Sequence, residues 1–173
     1  MDRHPSRRLF PLTCTLASLL LIACQREQPT SPTNALAVSF IKPLGPQNEH
    51  PGYADLLTGE HHVMDLVDAI RNGPDWPTTA IVITYDEHGG FWDHVPTPVV
   101  DRWGPGIRVP TLVISPFAKR HFVDHNRYDT TSILALIENR WGLEPLSDRD
   151  AGANDMANAF ENGRSVERGT RDR

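Results

Sequence analysis

Apolar positions along this chain fall into runs of differing period, and polar or Pro/Gly-rich stretches separate them. The first run, Leu9 to Ile22, follows Arg3, Arg7 and Arg8 and is interrupted by Pro11, Thr13, Cys14, Thr15 and Ser18. A basic start and a short apolar stretch form the profile of an export signal, and the run is too short and too polar for a membrane span. Residues 24–34, rich in Pro, Ser, Thr and Gln, read as a flexible tether. Ala35 to Ile41 predicts a first buried strand, ended by Pro43, Gly45 and Pro46. From about Thr58, Val63, Leu66, Val67 and Ile70 lie on one helical stripe, which Asn72-Gly73-Pro74 stops. Ala80 to Thr84 is apolar on both alternating faces, the pattern of a strand covered on each side. Thr111 to Ser115, bounded by Pro110 and Pro116, predicts a third strand. Beyond Asp129 as N-cap, Ile133, Leu136, Ile137 and Trp141 form a second stripe that Gly142 closes. Polar residues dominate after Asp150, and residues 155–173 read as a frayed or disordered tail.

Strands alternating with helical stripes predict an α/β layer protein with a mostly parallel sheet. The 173 residues, 39% hydrophobic and 23% charged, suffice for one modest core. A formal net charge of -5 provides no basic field for a phosphate backbone, which argues against nucleic acid as the partner. There are two cysteines, and Cys14 would leave with the signal. Cysteine hydrolases and cysteine-based zinc sites are thereby excluded. The sequence Leu21-Ile22-Ala23-Cys24 resembles a bacterial lipobox, so residues 1–23 are expected to be a lipoprotein signal peptide and Cys24 the lipidated residue. That implies an exported chain at the periplasmic face of a bacterial membrane.

Candidate chemistry concentrates where the Ala80–Thr84 run ends in Tyr85-Asp86-Glu87-His88-Gly89-Gly90. Ligands of open parallel sheets bind beyond the carboxyl ends of strands, and adjacent carboxylates are best tolerated where a divalent cation compensates their charge. Gly89 and Gly90 allow a sharp turn and a close backbone approach. On these residues alone, a metal site and an ordinary solvated acidic turn are equally good readings. His61 and His62 are adjacent on a helix and diverge by about 100°, so both read as solvated. His121 and His125 stay ambiguous, and Lys119-Arg120 reads as a solvated charge pair.

From about Leu36 to Asn154 the chain resembles the C-terminal half of a bacterial phosphoesterase family of acid phosphatases and non-haemolytic-type phospholipases C, relatives of alkaline phosphatase in fold. The motifs that carry the resemblance are Val38-Ser39-Phe40-Ile41-Lys42-Pro43, Asn48-Glu49-His50-Pro51-Gly52, Ile83 to Gly90 with Asp93-His94-Val95, Arg108-Val109-Pro110 with Ile114-Ser115-Pro116, and Tyr128-Asp129 through Arg140-Trp141-Gly142-Leu143. The resemblance implies a partial three-layer sandwich over residues 35–154. It implies that Asp86 and Glu87 are ligands or close neighbours of a catalytic divalent metal ion. His50 would lie in the phosphate pocket as a donor to a phosphoryl oxygen or to the leaving group, work suited to imidazole near neutral pH. A loop histidine bonded to Glu49 or to backbone is the alternative. Asp93 and His94 match as well, and are read as residues that hold the ligands in place or as structural ones.

Members of the family carry an N-terminal half with a Glu-Asn metal-binding segment and a serine or threonine nucleophile. Neither is expected here: Asn34 and Ser39 stand in the wrong context, and no nucleophile is assigned. The resemblance therefore implies a truncated, impaired metal-dependent phosphoesterase acting on a phosphate monoester or a phospholipid. A catalytically inactive remnant lipoprotein that still binds metal is the alternative. A sulfatase-type relative would need a modified cysteine or serine site, and none is visible.

Overall fold

The computed structural model describes residues 37–161 and the backbone of a short strand at 17–23. Four strands form one sheet: β1 (Ala17–Ala23), β2 (Val38–Ile41), β3 (Thr79–Tyr85) and β4 (Thr111–Ile114), in the order β2-β1-β3-β4. Helix α1 (Leu56–Arg71) connects β2 to β3, and helix α2 (Thr130–Trp141) and the short α3 (Asp148–Ala151) follow β4. β1 falls within the stretch expected to act as an export signal, whereas Cys24 and residues 25–34 of the tether lie outside the described residues. Among the described residues, no helix is long and apolar enough to cross a membrane.

β3 is the centre of the protein because its side chains have no polar face to turn outward. Ala80 and Val82 point to one cluster, where Leu136 of α2 meets Met156 and Phe160. Ile81 points to the other, against Val67 of α1 with Val63, Leu66 and Ile70 around it. Both predicted helical stripes thus face the sheet from opposite sides, and a helix covers each face. Ile81 and Val82 are fully buried, and each contributes about 1.5–3 kcal/mol relative to exposure. Local signals set the helix ends: Asp55 accepts from the Thr58 N–H at 2.8 Å, and Asp129 and Ser132 form a reciprocal capping box on α2. Gly142 closes α2 in a left-handed conformation.

The sheet corrects the expectation of mostly parallel strands, since every pairing in it is antiparallel. β2, α1 and β3 do form a crossover that leaves β2 and β3 pointing the same way. The slot between them, however, is filled by β1, antiparallel to both. On the other side of β3, the connection 86–110 contains no helix, and β4 returns antiparallel with Val82 opposite Val113. Parallel neighbours need a crossover that packs on the sheet, and this connection supplies none.

Order also continues past the point where the sequence predicts fraying. The Glu161 N–H donates to the Phe117 carbonyl at 2.8 Å and the Lys119 N–H to the Ala159 carbonyl at 2.9 Å. These bonds lay the 155–161 segment along the turn after β4 and place Phe160, 2% exposed, in the core. Residues beyond 161 are outside the described part of the chain.

Candidate functional site

The carboxyl end of β3 opens into a cleft of about 280 Å³ between the Asn48–Pro51 loop, the turn at 87–93 and the Arg108–Pro110 segment. The first wall is built by Asn48. Its buried side chain accepts from the His50 N–H at 3.0 Å and donates to the Tyr53 hydroxyl at 3.1 Å. The His50 ring stacks on Tyr53 with centroids 4.8 Å apart and planes 15° from parallel. His50 Nδ1 lies 2.8 Å from the Pro51 carbonyl. A carbonyl only accepts, so Nδ1 carries the hydrogen, and Nε2 is the atom that faces the cleft.

Nε2 meets Glu87 Oε1 at 3.9 Å, so the loop histidine and one member of the acidic pair do converge. Glu87 is aimed by its other oxygen, which accepts from the Gly89 N–H at 2.7 Å. Gly89 and Gly90 have φ of 59° and 83°, a left-handed turn that suits glycine and brings the carboxylate back over its own loop. Asp86 does not join them: it is exposed and absent from the cleft lining. Desolvation, followed by the Glu87 charge, raises its carboxyl above the ordinary aspartate range, and Lys42 partly offsets this. Adjacent residues leaving a strand diverge, so one carboxylate faces the cleft and its neighbour does not.

Asp93 lines the cleft but serves Arg108. The Arg108 Nη2 donates to Asp93 Oδ2 at 2.9 Å and its Nε reaches both carboxylate oxygens at 3.2 Å, while Asp93 Oδ1 also accepts from the Val95 N–H at 2.7 Å. Hydrogen bonding to Arg108, more than any other cause, holds the Asp93 carboxyl below its usual range. His94 is exposed and does not line the cleft, and the same holds for His61, His121 and His125.

Glu49, Tyr85 and Arg108 are among the lining residues to which the sequence assigned no site role. The Tyr85 hydroxyl donates to Glu49 in a short hydrogen bond, and burial together with Glu49 pushes that hydroxyl well above its ordinary pKa. Glu49 has φ of 60°, a strained conformation for a side-chain-bearing residue. It passes α1 at Gly59, where an added Cβ would lie 2.1 Å from Glu49 Cγ. The signals available were the place of Glu49 beside His50 in one motif and of Arg108 at the head of another.

The donor set among the described residues does not by itself fit a resident metal ion. Among the described residues, no three His, Cys, Asp or Glu side chains gather closely enough to hold one, and Glu87 already spends one oxygen on backbone. The cleft lining also contains no serine, threonine or cysteine.

The fold and site define an α/β protein that presents an imidazole, carboxylates and a guanidinium around one cleft at the end of its central strand. The chain belongs to the phosphoesterase family, whose model matches residues 32–144. It is 35% identical over 139 residues to non-specific phospholipase C6 of Arabidopsis thaliana, covering 65% of this chain and 26% of that relative. Non-specific phospholipase C1 of the same plant is 34% identical over 144 residues, covering 68% and 27%. Phospholipase C B of Mycobacterium tuberculosis is 33% identical over 152 residues, covering 71% and 29%. The chain thus spans little more than a quarter of the length of the curated relatives it matches.

Proposed function

We propose that this chain carries one side of a phosphoester-hydrolase site, acting on a phosphate monoester or a phospholipid phosphodiester. The observation that carries this reading is the approach of His50 Nε2 to Glu87 at the mouth of β3, in a member of the phosphoesterase family. With Nδ1 bonded to the Pro51 carbonyl, the ring acts there as an imidazolium that donates from Nε2 to a phosphoryl oxygen or to the departing alkoxide, and Glu87 orients it. A divalent ion belongs to this reading through the resemblance alone, which would make Asp86 and Glu87 its carboxylate ligands; because Glu87 faces the cleft and Asp86 does not, no step is assigned to it.

A second reading, an inactive remnant that binds the phosphoester without turnover, is favoured by one specific feature. No side chain lining the cleft is a hydroxyl or thiol nucleophile other than the Tyr85 phenol, which is engaged with Glu49. The full chain, assayed with an aryl phosphate and a phosphocholine ester in the presence of divalent ions, separates the two. The first reading expects hydrolysis that falls about 10²-fold or more in His50→Ala. Binding of either ester without any product is the result expected of the remnant and overturns the first reading.

The proposal includes export and a lipid tether at Cys24, on the strength of the lipobox-like Leu21-Ile22-Ala23-Cys24. Cys24→Ser is expected to move the protein from the membrane to the soluble fraction, and unchanged partitioning would remove the anchor from the proposal.

A further inference from the structure

Among the described residues lining the cleft, Arg108 is the one permanently charged cation, and Glu49, Glu87 and Asp93 contribute carboxylates. An anionic ester entering this space meets net negative charge unless something counters it. Each carboxylate is already engaged: Glu49 accepts from Tyr85, Glu87 from the Gly89 N–H, and Asp93 from Arg108. Their arrangement leaves the guanidinium with permanently charged donors still unused.

The geometry defines which donors those are. Asp93 occupies the edge of the guanidinium formed by Nε and Nη2. The opposite edge, formed by Nη1 and the second Nη2 hydrogen, has no hydrogen-bond partner among the described residues. The Arg108 side chain is 58% exposed, against 24% for Asp93, so the carboxylate sits on the protein side of the pair. Asp93 is itself fixed by the Val95 N–H. The backbone beyond Arg108 is fixed by the Thr84 hydroxyl, which donates to the Pro110 carbonyl at 3.3 Å as β4 begins. A planar fork held from behind in this way costs little further ordering when it takes a second pair of oxygens.

We propose that Arg108 binds the phosphoryl group of the substrate through its free guanidinium edge, taking two non-bridging oxygens, and that Asp93 is the residue that positions it. This inference rests on the phosphoester reading of the cleft and deepens it by naming the anion-binding group. It also gives Asp93 a role different from the support of metal ligands read for it from the sequence.

The test is titration calorimetry of the full chain with inorganic phosphate, which reads binding without requiring turnover. Arg108→Gln is expected to weaken binding about ten-fold or more, because a charge-assisted bidentate contact is lost. Arg108→Lys keeps the charge without the fork and should fall between. Arg102→Gln is the control, since Arg102 stacks on Trp103 with 4.2 Å between the guanidinium and the ring centre and does not line the cleft. It should bind as the unaltered chain does. Asp93→Asn should weaken binding less than Arg108→Gln, and the double variant should be no weaker than Arg108→Gln alone. That non-additivity distinguishes positioning from a general structural effect.

Equal affinity of Arg108→Gln and the unaltered chain overturns the proposal, while loss of binding in His50→Ala alongside it leaves the phosphoester reading standing. Equal weakening by Arg102→Gln marks diffuse surface charge and also overturns the proposal. No phosphate binding by the unaltered chain overturns both. Should Arg108→Gln fail to fold, as read by circular dichroism, Arg108→Lys decides: affinity equal to the unaltered chain counts against the fork.

Discussion

Strand β3 and the connection that follows it, residues 86–110, are consecutive in the chain and held in shape by different forces. β3 is fixed by burial, with Ile81 and Val82 shut between two helical layers. The connection exposes Trp92, Val99 and Trp103 and holds its course by polar clamps. In each, a side-chain oxygen accepts from the backbone N–H two residues on: Glu87 from Gly89, Asp93 from Val95, Asp101 from Trp103. Asp101 is further tied to Arg149 at 2.8 Å, which also reaches Asp129 at 3.1 Å. The difference explains where the chemistry sits. Apolar packing supplies a rigid strand end, and short-range polar contacts aim His50, Glu87 and Arg108 around it without burying them.

The comparison breaks first in the core. Phe160→Ala is expected to cost about 3–5 kcal/mol in urea unfolding, the usual loss for a buried aromatic ring. A loss under about 1 kcal/mol would show that the segment after Asp155 does not belong to the scaffold. Gly59→Ala probes the seam between scaffold and cleft. The added methyl collides with Glu49 Cγ, so the variant should lose about 1–3 kcal/mol and release Glu49 from Tyr85. Tyrosine titration followed by ultraviolet absorbance would register that release as a lowered Tyr85 pKa. An unmoved titration counts against the contact.

The smallest effect concerns a carboxyl pair buried in the scaffold, Glu138 and Asp150. Glu138 is buried on α2, and one of its oxygens has no partner among the described residues. Burial, then hydrogen bonding to and the charge of Asp150, raise its pKa above 4.5. Asp150, which accepts from the Ser147 hydroxyl in a short hydrogen bond, is lowered to about 2. A raised carboxyl favours the folded state while protonated, and that contribution is lost as pH rises through its folded pKa. Asp150 works in the opposite sense and gives up its contribution as pH falls towards 2. Stability should therefore decline as pH rises above 4.5 and through the raised Glu138 pKa, and Glu138→Gln should flatten that decline. Parallel curves for the two proteins in thermal melts at several pH values would refute it.

Much of the scaffold was legible because burial leaves a periodic trace. The stripe Val63, Leu66, Val67 and Ile70, the unbroken run Ala80 to Thr84 and the Asp129 cap each point to an element at nearly the observed bounds. Met156 and Phe160 stand singly among polar residues, so no period marks them, and their burial depends on a return of the chain past Phe117. The candidate site was legible in part. His50 and Glu87 do meet, whereas the pairing of Asp93 with Arg108 joins residues far apart in the chain that carry no spacing signal.

The sequence by itself determined β2, β3, β4, α1 and α2, nearly where they stop, and that acidic and histidine chemistry gathers after β3, because these follow from side-chain period, capping and turn residues within a few positions of one another. Strand direction, the insertion of β1 between β2 and β3, and the division of Asp86 from Glu87 were decided only by the tertiary structure. Each depends on which distant backbone a strand edge finds and which way a turn leaves it, and local pattern does not encode either.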